Sequence, residues 1–216
     1  MKKTAIVIGA TGLVGSELVK QLLKHETMEK VKVFTRRPTG IKHPLLDEHV
    51  ISFDYPDEWQ GKVTGDVLYS TLGTTLKQAG SKEAQYKVDY SYQYDFAQIA
   101  SVNKVPAYVL VSSMGANPGS SLFYPRMKGE LDQAVQALPF KSCVIMRPSI
   151  LVGERENKRV AETMAHQVMK VVTRFVLKKY KPITGAEVAR AMIVASLENQ
   201  KPGISMYEAD AIFRLI

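Results

Sequence analysis

The sequence predicts an α/β protein: a doubly wound parallel sheet with a small C-terminal substrate lobe. Three observations carry that expectation. Short β-branched runs alternate with longer helical patterns, the signature of βαβ units. A glycine-rich loop stands between the first such run and the first helical stretch. The 216 residues, 45% hydrophobic and 23% charged, suit one extended domain. This composition excludes a mainly disordered chain, a collagen and a disulfide mini-protein.

The elements follow in order. Residues 4–8 read as the first strand, an apolar run too short for a signal peptide and stopped at once by Gly9. Residues 12–24 form a helix, with Val14, Leu18 and Leu22 at helical spacing. Strands are expected at 31–35, 50–53 and 66–70. A long helix covers 81–102, with Ala84, Val88, Phe96 and Ile99 on its apolar side. The fifth strand is expected at 107–112, a helix at 125–137 and the sixth strand at 142–147. Right-handed crossovers then place helices on both faces, and ligands bind beyond the carboxyl ends of the strands.

After Gly153 the rhythm changes. A charged stretch at 154–159 leads to a helix at 160–178, a second helix at 186–197 and a short strand at 205–207. No linker rich in Gly, Ser or Pro intervenes, so residues 1–216 are expected to form one domain, with 153–216 as its substrate-side lobe. The amphipathic stretch holding Val160, Met164, Val168, Val171, Phe175 and Val176 suits packing on that lobe or on a partner subunit better than membrane docking. No apolar run approaches the roughly 18 residues of a membrane span.

The net charge is +8. Basic clusters lie at Arg36-Arg37, 155–159 and 178–181, without zinc-ligand spacing or an RNA-binding signature, so no nucleic-acid partner is expected. His25, His43, His49 and His166 have no metal-like spacing, and no metal site is expected. The single cysteine, Cys143, cannot form an internal disulfide and reads as a buried, inert thiol. A reducing, cytoplasmic location is expected from it.

Gly9-Ala10-Thr11-Gly12-Leu13-Val14-Gly15 carries the first chemistry. Gly9 permits a tight turn, Gly12 lets the backbone approach a pyrophosphate, and Gly15 lets helix pack closely on strand. The following helix N-terminus offers free N–H groups and a partial positive charge to phosphates. Sites that prefer NAD end the second strand with an acidic residue that binds the ribose hydroxyls. Here that strand ends Phe34-Thr35-Arg36-Arg37, and guanidiniums suit a 2′-phosphate instead. NADP(H) is therefore expected in preference to NAD(H).

Further motifs follow the same order along the chain: Ser70-Thr71-Leu72-Gly73-Thr74-Thr75, Lys87-Val88-Asp89-Tyr90, Val111-Ser112-Ser113-Met114-Gly115-Ala116, Tyr124-Pro125-Arg126-Met127-Lys128-Gly129-Glu130 and Arg147-Pro148-Ser149-Ile150-Leu151. With the glycine loop they make the sequence resemble the short-chain dehydrogenase/reductase superfamily, whose fold is the Rossmann NAD(P)-binding fold. More narrowly, it resembles the atypical branch containing the HIV Tat-interacting-protein oxidoreductases. The resemblance implies that Leu72, Gly73 and Thr74 line the cofactor together with Gly9, Thr11, Gly12, Leu13, Val14 and Gly15. It implies that Asp54, at the end of the third strand, meets the adenine edge, and that Pro148 stands beside the nicotinamide.

Tyr124 and Lys128 are spaced to share one helix face, and Pro125 suits a first helical turn. The phenol of Tyr124 would be the general acid in carbonyl reduction and the general base in alcohol oxidation. A nearby ammonium lowers a phenol pKa, and Lys128 is expected to supply it. The resemblance also gives Lys128 the nicotinamide ribose. Ser113, at the end of the fifth strand, would hold the substrate oxygen, with Ser112 as the alternative because strand alternation leaves the register open. Many members of the superfamily add an asparagine on the helix before the fifth strand for a proton relay; here that helix carries Asp89, Tyr90, Tyr92 and Tyr94. The expected activity is NADP(H)-dependent hydride transfer to or from a small-molecule carbonyl or alcohol, by a monomer or homodimer. Two alternatives stand beside it: an NADP(H)-sensing regulatory protein with a protein partner and little turnover, and a nucleotide-dependent epimerase or dehydratase.

Overall fold

The computed structural model describes residues 2–152 and 181–216. Its centre is a parallel sheet of seven strands: β1 (Lys3–Ile8), β2 (Met28–Thr35), β3 (Leu46–Val50), β4 (Val67–Ser70), β5 (Ala107–Val111), β6 (Ser142–Arg147) and, near the C-terminus, the strand Gly203–Glu208. The order is β3-β2-β1-β4-β5-β6 followed by that last strand. Chain order therefore reverses beside β1, and the crevice between β1 and β4 at their carboxyl ends is where such sheets take ligands.

Period-2 alternation sorts the strand residues between two cores. Ala5, Val7, Val33, Tyr69, Val109 and Met146 face helix α1 (Leu13–Leu23). Ile6, Ile8, Phe34, Leu68, Leu110 and Ile145 face the other side, under the helices that precede and follow β5. Cys143 is buried in this second core, and burial pushes its thiol up to about 12, as an inert thiol requires.

The third strand departs from expectation. It spans Leu46–Val50, ending where the apolar run 50–53 begins. As an edge strand it is only half buried, so Asp47 and Glu48 are tolerated in it and its pattern reads as polar. The apolar run instead carries Phe53 into an aromatic cluster with Trp59 and Phe96. The helix expected at 81–102 has three parts: α3 (Lys82–Tyr86), a π-helical turn over Lys87–Ser91 and α4 (Tyr92–Val102). A four-residue helix, α2 (Leu76–Ala79), precedes them. Helix α5 (Phe123–Gln136) starts slightly earlier than expected, so Pro125 falls within its first turn, where a missing N–H costs nothing.

Beyond β6, strand β7 (Leu151–Val152) pairs in parallel with β8 (Ile183–Thr184). Helix α6 (Gly185–Ile193) begins on a capping box formed by Thr184 and Glu187 and packs along α1. A π-helical turn, Val194–Glu198, leads to β9 (Gly203–Glu208), which pairs with β6, and α7 (Asp210–Phe213) closes the chain. The charged stretch at 154–159, the helix at 160–178 and its apolar stripe fall outside the described residues. Among the described residues no helix is long and apolar enough to cross a membrane.

Candidate active site

The glycines of the loop after β1 have different tasks. Gly9 has a φ of +81°, and a Cβ there would stand 2.5 Å from the Thr71 backbone. At Gly15 a Cβ would meet the Gly9 carbonyl oxygen at 2.2 Å. Both are demanded by the fold. A Cβ on Gly12 would lie 3.2 Å from its nearest neighbour, the Gly9 oxygen, so internal packing constrains that position far less. Gly12 caps α1 without a side-chain hydrogen bond, and the first intrahelical bond runs from Ser16 N to Gly12 O. The N–H groups of Leu13, Val14 and Gly15 thus belong to the unpaired first turn and face the switch point. Gly185 presses on this turn from behind: a Cβ on it would touch the Leu13 carbonyl oxygen at 2.4 Å.

The other nucleotide-side residues lie along the same edge of the sheet. Arg36 and Arg37 follow β2 directly, both exposed, and neither is ion-paired among the described residues. Asp54 sits in the loop beyond β3, not at the strand end. Its Oδ1 accepts from Lys87 Nζ at 2.6 Å and from Tyr92 Oη at 2.8 Å. Those two bonds hold its carboxyl below the usual carboxylate range. Leu72, Gly73 and Thr74 follow β4, with the Thr74 amide donating to Asp89 Oδ2 at 3.0 Å. Pro148 is buried just past β6, and its carbonyl accepts from Met114 N at 3.1 Å, tying down the loop after β5.

Tyr124, Lys128 and Asp132 form a stripe along α5, each one turn from the next. Gly129, on the same helix, lets the loop at 117–118 lie against it: a Cβ there would stand 2.3 Å from the Asn117 backbone. The register after β5 is now defined. Ser113 lies against the Tyr124 hydroxyl and draws its pKa down, whereas Ser112 is buried behind the strand end, near Asp132. Ser112 Oγ steadies the Asp132 carboxylate without a hydrogen bond of full geometry, so Ser112 Oγ and Asp132 Oδ1 both remain incompletely paired. Asp132 Oδ2 accepts from Arg147 Nε at 2.8 Å, and Arg147 Nη1 reaches Glu208 at 2.9 Å on β9.

The electrostatics differ from expectation. Tyr124 as a residue is 40% exposed, but desolvation at its hydroxyl and the charge of Asp89 raise its pKa above that of a free phenol. Burial depresses the pKa of Lys128 as well, opposed first by Asp89 and then by Asp132. Asp89, Gln93, Asp132 and Arg147 are the site residues that the motifs did not single out for a role. Their pairings join positions far apart in the chain, and the only local sign was a carboxylate at 89 inside a tyrosine-rich helix.

A dinucleotide fits these residues. Lys128 is 2% exposed, yet among the described residues its ammonium makes a single 3.4 Å contact, to Val111 O. An ammonium has three donors, so this one is built to receive acceptors such as ribose hydroxyls. The open position at Gly12 and the uncapped helix turn supply the matching phosphate cradle.

The NAD(P)H-binding family model matches residues 9–199, and the chain belongs to that family. It is 33% identical over 223 residues to Protein FMP52-1, mitochondrial, of Scheffersomyces stipitis, covering 98% of each chain. Its fold matches the Bordetella bronchiseptica enzyme WbmH in complex with NAD+ (TM-score 0.73, 18% identity, 97% of this chain and 76% of that one). It also matches a short-chain dehydrogenase/reductase superfamily protein from Agrobacterium tumefaciens with bound NAD (TM-score 0.69, 13% identity, 94% and 76%). The protein therefore has the Rossmann fold of these NAD-bound structures. The relative's name corrects one expectation: it is a mitochondrial protein, so the cytoplasmic reading of Cys143 does not stand. A lone thiol does not distinguish one reducing compartment from another.

Proposed function

We propose that this protein is an oxidoreductase that uses NADP(H) to interconvert a carbonyl and an alcohol on a small molecule. The observation that supports the reading is Ser113 against the Tyr124 hydroxyl, with Lys128 one turn further along α5 and in contact with the Val111 carbonyl at the end of β5. The bound nucleotide supplies or accepts the hydride. Ser113 donates a hydrogen bond to the substrate oxygen. Tyr124 gives that oxygen a proton during reduction and takes it back during oxidation. Lys128, buried and short of acceptors, holds the nicotinamide ribose. Arg36 and Arg37, exposed and free of ion pairs among the described residues, take the 2′-phosphate and set the preference for NADP(H).

Burial and the charge of Asp89 raise the pKa of Tyr124; a phenol is in any case protonated at neutral pH, the form that carbonyl reduction needs. Alcohol oxidation should accelerate as pH rises towards that pKa. NADPH oxidation over a carbonyl panel tests the reading with wild type and Tyr124→Phe. The chemical step should fall by about 10²–10⁴-fold in the variant, the usual contribution of a positioned acid. NADPH affinity should change little, since Lys128 remains. Equal turnover by the two proteins would remove Tyr124 from the chemistry. Tight NADPH binding with no turnover over the whole panel would replace the enzyme with a sensor.

A further inference from the structure

The turn that carries Asp89 is unusual in its winding. Lys87–Ser91 is a π-helical turn between α3 and α4, a geometry that occurs mostly as a single inserted turn and re-aims the side chains on it. The turn is anchored from within. Gln93, fully buried, donates from Nε2 to the Asp89 carbonyl at 2.7 Å, and its Oε1 accepts from Ser70 Oγ at 2.7 Å at the end of β4. Asp89 is thereby held inward at 1% exposure. Its Oδ2 receives the Thr74 amide at 3.0 Å, and its Oδ1 would lie 3.6 Å from a Cβ on Gly73.

The charged and titratable groups around Asp89 come from three elements. The Lys87–Ser91 turn packs against α5, from which Lys128 and Tyr124 face Asp89, and Asp132 lies one turn beyond Lys128 on the same helix. From the loop after β4 it meets only backbone and the uncharged Thr74. On its own turn, Lys87 is directed outward to Asp54. Among the described residues no cation lies within ion-pair distance of Asp89, so its charge acts across a gap on the groups that face it.

We propose that Asp89 is a positioning residue that couples the loop after β4 to the Tyr124–Lys128 pair, fixing the loop through the Thr74 amide and setting a negative charge against the phenol and the ammonium. The inference rests on the roles given to Tyr124 and Lys128 above. An asparagine would make the same bond to Thr74, so the distinct contribution of the carboxylate is its charge. That charge favours the protonated phenol and the charged lysine. It moves the loss of the Tyr124 proton to higher pH, and with it the rise of alcohol oxidation. Burial raises the Asp89 carboxyl, and Lys128 opposes that rise.

The test uses Asp89→Asn, Asp89→Ala and, for comparison, Asp132→Asn. Tyr124 ionisation is read in the free protein by ultraviolet difference titration of each form against the same form carrying Tyr124→Phe. NADPH affinity is read by direct titration. Asp89→Asn should move the Tyr124 midpoint down by about one pH unit, as removal of one nearby like charge does. Asp132→Asn should move it less, because Asp132 lies two turns from Tyr124 along α5, about 12 Å by helix rise. Asp89→Ala should weaken NADPH binding about tenfold, through loss of the Thr74 anchor. An unmoved Tyr124 midpoint in Asp89→Asn would overturn the proposal. If the alanine form does not fold, the asparagine form alone decides. Wild-type protein that fails to bind NADPH would instead defeat the oxidoreductase reading, while the Tyr124 titration would still decide the part played by Asp89.

Discussion

Among the described residues, the half of the sheet built on β1, α1 and β2 buries no charged side chain, whereas the half built on β4, β5 and α5 buries Asp89, Lys128 and Asp132. The first half positions a ligand by backbone shape: a left-handed Gly9, a close approach at Gly15 and an uncapped helix turn. The second does so by balancing charges taken out of water, which costs several kcal/mol per ion unless the partners are well placed. The two halves should therefore fail differently. Steric changes should damage the first, and loss of a single partner should damage the second.

The largest expected effect lies in the charged half. Arg147→Met leaves the Asp132 carboxylate buried beside only Lys128 and an imperfectly placed Ser112. Breaking a buried pair in this way costs about 3–5 kcal/mol, measurable by urea unfolding at neutral pH. The sign of the pH dependence follows from Asp132. Its carboxyl is already raised by burial despite Arg147, and removal of the arginine raises it further. A group that binds its proton more tightly when folded favours the folded state as pH falls. The deficit of the variant relative to wild type should therefore shrink towards acid pH. A constant deficit would mean that Arg147 acts through packing alone.

The shape-driven half should respond to added carbon atoms. In Gly15→Ala the new Cβ meets the backbone of Gly9, and no side chain can move aside to admit it. Overpacking of this kind costs roughly 1–3 kcal/mol. Gly12→Ala adds its Cβ 3.2 Å from the Gly9 oxygen at an ordinary negative φ of −78°, so its thermal stability should fall much less. Its NADPH binding should fall sharply, because the methyl group occupies the pyrophosphate's approach. Equal loss of stability in both variants, with binding retained in Gly12→Ala, would make the loop a structural turn only.

The contrast also explains what the sequence made legible. The glycine loop, the alternation of strands and helices and the Tyr124–Lys128 spacing are local patterns with fixed periods, and the residues display them directly. The third strand was misplaced because an edge strand with Asp47 and Glu48 lacks an apolar pattern. The role of Asp89 was hidden because it depends on a π turn supported by Gln93 and Ser70, which no simple 3.6-residue periodicity announces. Tyr124 and Lys128 share one helix, as their spacing displays, but the electrostatic partners of Lys128 lie on other elements or one turn further on. Charge balance is a property of tertiary contacts, so it became visible only with the fold.

The smallest expected effect concerns Arg36 and Arg37, where the shape-driven half meets solvent. Their guanidiniums follow β2 at the site where an acidic residue would otherwise bind the ribose hydroxyls. Both are exposed, so salt screens their attraction and they contribute less than a buried cation would. A 2′-phosphate still offers them charge-assisted, bidentate contacts. Arg36→Ala/Arg37→Ala should therefore weaken NADP(H) binding by about tenfold to a hundredfold and leave NAD(H) nearly unchanged. The loss should be greatest at low ionic strength and diminish as salt is added. Titration of both nucleotides at two salt concentrations checks this. Equal wild-type affinities for NADPH and NADH would show that the basic pair is only a solvated loop, and the preference for NADP(H) would fall with it.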